Sequence, residues 1–239
     1  MILLQKNTLE SLYNYAEIHN ADVVIFDFLR GTPKLENIQR QSFRTILKKY
    51  ENKSFNIDNA DTSVYRYVLV ATWIKFYLTD LIKDLKFEHG LNNQDVPYWD
   101  LVYTRAKNVY YFPKPYYFYT VERENAITEI KGKKIFDVFK AFSLSENILK
   151  STGYFDKFKS IHYAHLTSNL EVRMLRINPA LRKDFVEAIK KYNIDIDYNE
   201  FEKEDFYKFE KFDMNIIKYI KEHNFEDTEN MMKKNKLWV

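Results

Sequence analysis

This chain of 239 residues contains no cysteine. That single absence removes disulfides, thiolate nucleophiles and cysteine metal sites, and it suits a cytoplasmic chain. Glycine and proline are also sparse, at 4 and 5 residues, which argues against a low-complexity linker protein. There is no charge excess of either sign. The 37 basic and 34 acidic residues leave a formal charge of +3, and a nucleic-acid surface needs a clustered basic excess. No apolar run is long enough to span a bilayer, and the opening MILLQKNTLES has no basic region ahead of its short apolar stretch. The expectation is a chain that is neither secreted nor integral to a membrane. What is present is core-forming material: 46% of residues are hydrophobic and 17% aromatic, enough to bury one domain, or one domain with an appendage.

The organisation is coarse but legible. Leu9, Leu12, Tyr13 and Ala16 recur at helical spacing, with Asn7 or Thr8 as cap, and an apolar strand follows over residues 21–28. Residues 30–63 read as polar and irregular apart from a helical SFRTILKKY. Residues 65–83 read as one aromatic-rich helical run, which turns at Gly90. A helix is expected over 98–106, then two strands over 109–112 and 116–121, separated by Pro113 and Pro115. From residue 134 onward, apolar residues at helical intervals dominate. No internal repeat is apparent.

The richest segment is residues 85–128. Asp95 stands where a polar turn meets the apolar PYWDLVY run, a position open to two readings. It could satisfy the free backbone donors of a helix starting near Pro97, or it could be a catalytic carboxylate at an element end. Spacing alone favours the cap.

A resemblance bears on the choice. The ordered set Phe87 and Gly90, Gln94 and Asp95, Tyr98, Tyr117, Tyr119, Arg123, Ile127 and Thr128 resembles the second half of the family 2 glycosyltransferases. These are GT-A-fold enzymes that decorate bacterial surface polysaccharides. The opening NTLESLYNYAEIHNADVVIFDF resembles the helix and strand that follow the family's DxD element, and Trp73 and Lys75 match its W-x-K segment. The likeness covers residues 1–175. The chain departs from the pattern at Gln94, where the family has Glu, at Thr120, where it has a basic residue, and at Ala126, where it has Ser.

The resemblance implies a partial GT-A-like α/β domain over residues 1–133, the acceptor-side half, followed by a mainly helical region over 134–239. It implies that Asp95 is the general base, taking the acceptor hydroxyl's proton as that oxygen attacks the anomeric carbon with inversion. Trp73 and Tyr98 would form apolar walls against a sugar, Gln94 would help bind substrate, and Lys75 and Arg123 would counter diphosphate charge. Each of these also has a plain structural reading, as core aromatics or solvated surface residues. Tyr117 and Tyr119, on one strand face, read as structural.

Met1, Ile2 and Leu3 fall just beyond the position of the family's DxD carboxylates, so a nucleotide-binding half of about 100 residues is expected to be missing or separately encoded. The chain itself shows no cofactor ligands. The complete enzyme would use a divalent metal, manganese or magnesium, against the donor diphosphate. The implied partners are a nucleotide-diphosphate sugar, a glycan or lipid-linked acceptor at the inner face of the membrane, and a separate donor-binding half or a second copy. The isolated chain would be inactive or weakly active. The alternative is a non-enzymatic remnant or interaction subunit that pairs with a donor half.

Other candidates read as ordinary. His162 and His165 lie three apart without a carboxylate at zinc-site spacing. Asp195 and Asp197 form a D-x-D string inside a solvated acidic segment. The closing MMKKNKLWV, with Lys233, Lys234, Lys236 and Trp238, reads as a frayed tail, or as a peripheral membrane contact.

Overall fold

A computed structural model describes residues 3–68, 70–121, 132–194 and 216–238. The chain is mixed α/β and divides into two compact units: Met1–His89 with Gln94–Thr128, and Gly90–Asn93 with Glu129–Val239.

The first unit is built on a five-stranded sheet. Its strands are β1 (Leu3–Leu4), β2 (Val23–Gly31), β3 (Gln39–Gln41), β4 (Lys75–Tyr77) and β5 (Val109–Thr120). The order is β1-β5-β2-β3, with β4 also pairing with β2. The central strand β2 runs parallel to β5 along its length and antiparallel to both β3 and β4 on its other side. Residues Val23 to Phe28 are buried without alternation, because a parallel strand covered on both faces needs apolar residues at every position. Helix α1 (Thr8–His19) leads into β2 and lays Leu12 against Ala21, Val24, Phe26 and Tyr116, with Tyr15 and Ala16 beside them. The helix matches its expected span, but its packed face does not include Leu9 and Tyr13, which are 63% and 55% exposed.

Two expected elements come out differently. The run over residues 65–83 is not one helix. It breaks into α3 (Thr62–Tyr67), a 3-10 turn (Thr72–Ile74), strand β4 and α4 (Thr79–Ile82), after the short α2 (Arg44–Leu47) upstream. The register Val23↔Tyr77, Val24↔Phe76, Ile25↔Lys75 shows why: pairing with the edge of β2 overrides a local helical pattern rich in aromatics. The two strands expected on either side of Pro113 and Pro115 are one strand, β5. Proline lacks a ladder donor, so the pairing is irregular there: Phe26 pairs with Phe112, Asp27 with Pro115 and Phe28 with Tyr117, a slip that absorbs the prolines without ending the strand.

The slip coincides with a buried polar cluster. Asp27 is fully buried on β2. Its Oδ2 accepts from Arg40 Nε (3.1 Å) and Nη2 (2.7 Å), and its Oδ1 accepts from the Phe43 backbone N–H (3.0 Å) and the Tyr111 hydroxyl (2.8 Å). Arg40 Nη2 also donates to the Pro113 carbonyl at 2.6 Å. Burial, together with the Asp27 hydrogen bond, pushes the Tyr111 phenol well above its ordinary range.

The second unit is helical: α6 (Asp137–Ser151), α7 (Phe155–Arg176), α8 (Arg182–Lys191) and, after helical residues 216–222, α9 (Phe225–Lys234). Val138, Ala141, Phe142 and Leu149 of α6 and Phe158, Ile161, Leu166 and Leu170 of α7 are buried at helical intervals. His162 is buried among them, with Nδ1 3.2 Å from Ser145 Oγ. Burial, aided by the Lys150 charge, pushes its imidazole down to about 3. The described part of the closing segment is ordered against the helices of this unit. Trp238 is 3% exposed, its indole Nε1 donates to the Met174 carbonyl at 2.7 Å, and the Arg182 guanidinium lies 4.6 Å from its ring. The indole has one donor to satisfy and a large apolar surface to hide, and this seat does both, which leaves Trp238 unavailable to a membrane. No helix among the described residues is long and apolar enough to cross a bilayer. The D-x-D string at Asp195 and Asp197 lies outside the described residues.

Candidate functional site

The candidate site lies in the first unit, where β4 meets the start of α5 (Asp95–Arg105). Gln94 is the N-cap residue and Asp95 sits in the first turn, so the carboxylate lies at the positive end of the helix, where negative charge is favoured. The cap itself is Gln94, without a side-chain cap bond. Asp95 is partly exposed while Val96, Pro97, Tyr98, Trp99 and Asp100 after it are all buried. The turn that leads there passes Gly90 at φ 72° and Asn93 at φ 62°, left-handed conformations that glycine and asparagine adopt most readily.

Lys75 opens β4 and is 6% exposed. Its Nζ donates to the Ala71 carbonyl at 2.9 Å and lies 4.3 Å from the centroid of the Trp99 ring. Burial lowers its affinity for a proton well below that of an ordinary lysine, and the charge of Asp95 acts against that. Two residues further on, Tyr77 feels Tyr98 and Asp95, and burial first, then these two, push its phenol well above the ordinary range. Its hydroxyl donates to the Thr72 carbonyl at 3.2 Å. The Tyr98 ring stacks on Phe87 at 4.2 Å. Lys75 and Tyr77 thus lie on β4, and Asp95 and Tyr98 in the first turns of α5.

Trp73 belongs to a different cluster. Its indole stacks on Tyr117 (4.6 Å) and Tyr119 (5.0 Å, 6° between planes) and meets Phe28 edge-on at 4.9 Å. Tyr117 and Tyr119 are i and i+2 on β5 and so share a sheet face, which makes a flat shelf for the indole. Arg123 lies outside the described residues, as do Ile127 and Thr128. Tyr77 and Trp99 were not singled out from the sequence. Reading residues 65–83 as a helix set Lys75 and Tyr77 about 200° apart, whereas on a strand they share a face. Among the described residues, no three His, Asp or Glu side chains come together as a metal site. The divalent cation implied for the complete enzyme thus finds no ligand set in the described residues.

No protein-family model matches the chain, and no curated protein matches it. Solved structures do. One is S. aureus TarS 1-349 in complex with UDP-GlcNAc, at 14% identity and a TM-score of 0.66, covering 98% of this chain and 66% of that one. Another is S. aureus TarS 1-349 in complex with UDP, at 16% identity and a TM-score of 0.57 over 80% of this chain and 52% of that one. This chain thus spans about half to two thirds of TarS 1-349, and at these identities what the two share is the fold.

Proposed function

We propose that this chain is the acceptor-side portion of an inverting, nucleotide-diphosphate-sugar-dependent glycosyltransferase of bacterial surface polysaccharide synthesis. The observation that carries the reading is the placement of Asp95: a partly exposed carboxylate at the positive end of α5, in the position that resembles the family's base. The fold shared with a protein solved with UDP-GlcNAc supports a nucleotide sugar as donor. In the proposed reaction an acceptor hydroxyl gives its proton to Asp95 while its oxygen attacks the anomeric carbon. The bond from that carbon to the donor diphosphate breaks, the nucleoside diphosphate leaves, and the new glycosidic bond has inverted configuration. Trp73 on its tyrosine shelf supplies an apolar face suited to a sugar ring, and Gln94 lies beside the base. Arg123 retains the role of countering diphosphate charge, and manganese or magnesium would be held by a donor-binding half.

The second reading is an interaction subunit that pairs with a separate donor half. Titrating the purified chain with UDP-GlcNAc and other nucleotide sugars, with and without manganese, separates the two. Binding supports a chain with its own donor site. No binding excludes independent catalysis and favours the paired form. The isolated chain is expected to bind weakly.

A further inference from the structure

The turn that carries the chain into α5 is made of residues with little shape of their own. Gly90–Asn93 reads Gly-Leu-Asn-Asn, with left-handed backbone at Gly90 and Asn93. It belongs to the second unit, although Gln94 and Asp95, the next two residues, belong to the first. Within the second unit it is held by hydrogen bonds at three of its four residues. The Asn92 backbone N–H donates to Asp137 Oδ2 at 3.0 Å, and the Asn92 side-chain amide reaches the Lys134 carbonyl at 3.5 Å. Lys134 Nζ donates to the Gly90 carbonyl at 3.0 Å, and Arg173 Nη2 donates to Asn93 Oδ1 at 2.6 Å. The fourth residue, Leu91, is 6% exposed.

The anchors are themselves fixed. Asp137 lies in the first turn of α6, and Arg173 on α7 also donates through Nη1 to the Asn169 carbonyl (2.7 Å) and to Asn169 Oδ1 (3.0 Å) one turn earlier. Bonds to a carboxylate and from a guanidinium are the stronger kind, because one partner is ionised. A polar turn needs no such clamp merely to reverse the chain, yet groups 42 to 80 residues away in sequence converge on the four residues ahead of Asp95.

We propose that Asp137 and Arg173 are positioning residues for Asp95: by clamping Gly90–Asn93 they fix where α5 begins and hence where its carboxylate stands. This rests on the glycosyltransferase reading only for its purpose, since a base acts only when held within reach of the hydroxyl it deprotonates. Neither residue touches a reacting atom. The helical region thereby takes part in the reaction without supplying a reacting group.

The test is native-state amide hydrogen exchange followed by NMR on the full chain, which needs neither donor nor acceptor. In Asp137→Ala the Asn92 amide loses its acceptor, and its exchange should quicken by about tenfold or more, while the amides of Leu166 and Leu170 in the core of α7 keep their rates. The Asp95 amide and carboxyl-carbon signals should shift or broaden in the same variant. Asp137→Asn keeps a side-chain acceptor without the charge and should restore both readouts, which separates the hydrogen bond from the effect of a negative charge at the start of α6. Should Asp137→Ala not fold, Asn93→Gly decides: glycine suits the left-handed backbone there and removes the bond to Arg173, and the Asp95 signals should again move. Unchanged exchange at Asn92, core amides that quicken equally, or Asp95 signals that stay in place overturn the proposal. These readouts decide the positioning role whether or not sugar transfer is found. Where transfer is measurable, the same variants should lower kcat with little change in KM, and normal turnover in Asp95→Asn would count against the glycosyltransferase reading while the exchange result stood.

Discussion

The carboxylate of Asp27 is fully buried and the guanidinium that meets it, Arg40, is 47% exposed, so a surface cation is tied across two strands to the centre of the sheet. Four donors converge on that one carboxylate, at the point where β5 slips past its prolines. Removing the cation leaves a buried charge with only neutral partners. Arg40→Met is expected to cost about 3 kcal/mol in urea denaturation, the scale for breaking a buried pair. A change under about 0.5 kcal/mol would place the pair among ordinary surface bridges.

The imidazole of His162 gives the second unit a specific pH response. Its folded value of about 3 lies below the usual 6.5, so the folded state binds fewer protons than the unfolded state between those values. The stability this contributes is fully present above pH 6.5 and is lost as pH falls from there toward 3. A single such proton sets a slope of up to about 1.4 kcal/mol per pH unit. In His162→Leu the slope over that window should be shallower by one proton, read from denaturation midpoints at several pH values. An equal slope would mean that the imidazole is not held neutral.

The last residues of the chain are expected to be structural. Trp238→Ala should cost about 3 to 5 kcal/mol, as for other buried aromatics, and lower the melting temperature. A melt unchanged from wild type would mean that the indole does not occupy its seat against Met174 and Arg182.

Lys75 has the opposite sign from a stabilising residue. Its folded value is depressed, so the fold carries no penalty above the ordinary lysine range and is increasingly penalised as pH falls from there toward the folded value, below which the penalty is constant. Lys75→Met is therefore expected to equal or exceed wild type in thermal stability at pH 7. A clear loss of stability would show that the ammonium serves the fold instead.

Much of this architecture is legible in the sequence because it is local. The span of α1, the apolar run of β2 and the positive-φ turn at Gly90 follow from periodicity, β-branched content and backbone freedom. What is not legible depends on partners distant in the chain. Pairing with Val23, Val24 and Ile25 turned an aromatic helical pattern into β4, and with it brought Lys75 and Tyr77 to α5. The prolines of β5 looked like breakers because the slip that accommodates them involves Asp27, on another strand. Trp238 looked terminal and free because its acceptor, Met174, lies 64 residues away. Motif order singled out Lys75, Gln94, Asp95 and Tyr98, whereas Tyr77 and Trp99 carry no local signal and come to the same place only through the pairing of β4 with β2.

The most direct test of the central claim uses the cell in which the chain is made, where any donor half and acceptor are present. The gene is deleted, then restored as wild type or as Asp95→Asn, and the sugar composition of the surface glycans is measured, with blotting to confirm equal amounts of protein. General-base loss costs on the order of 10²- to 10⁴-fold in rate. The account predicts that deletion removes a sugar from a surface glycan, that wild type restores it, and that Asp95→Asn does not. Unchanged glycans on deletion, or full restoration by Asp95→Asn, would contradict it.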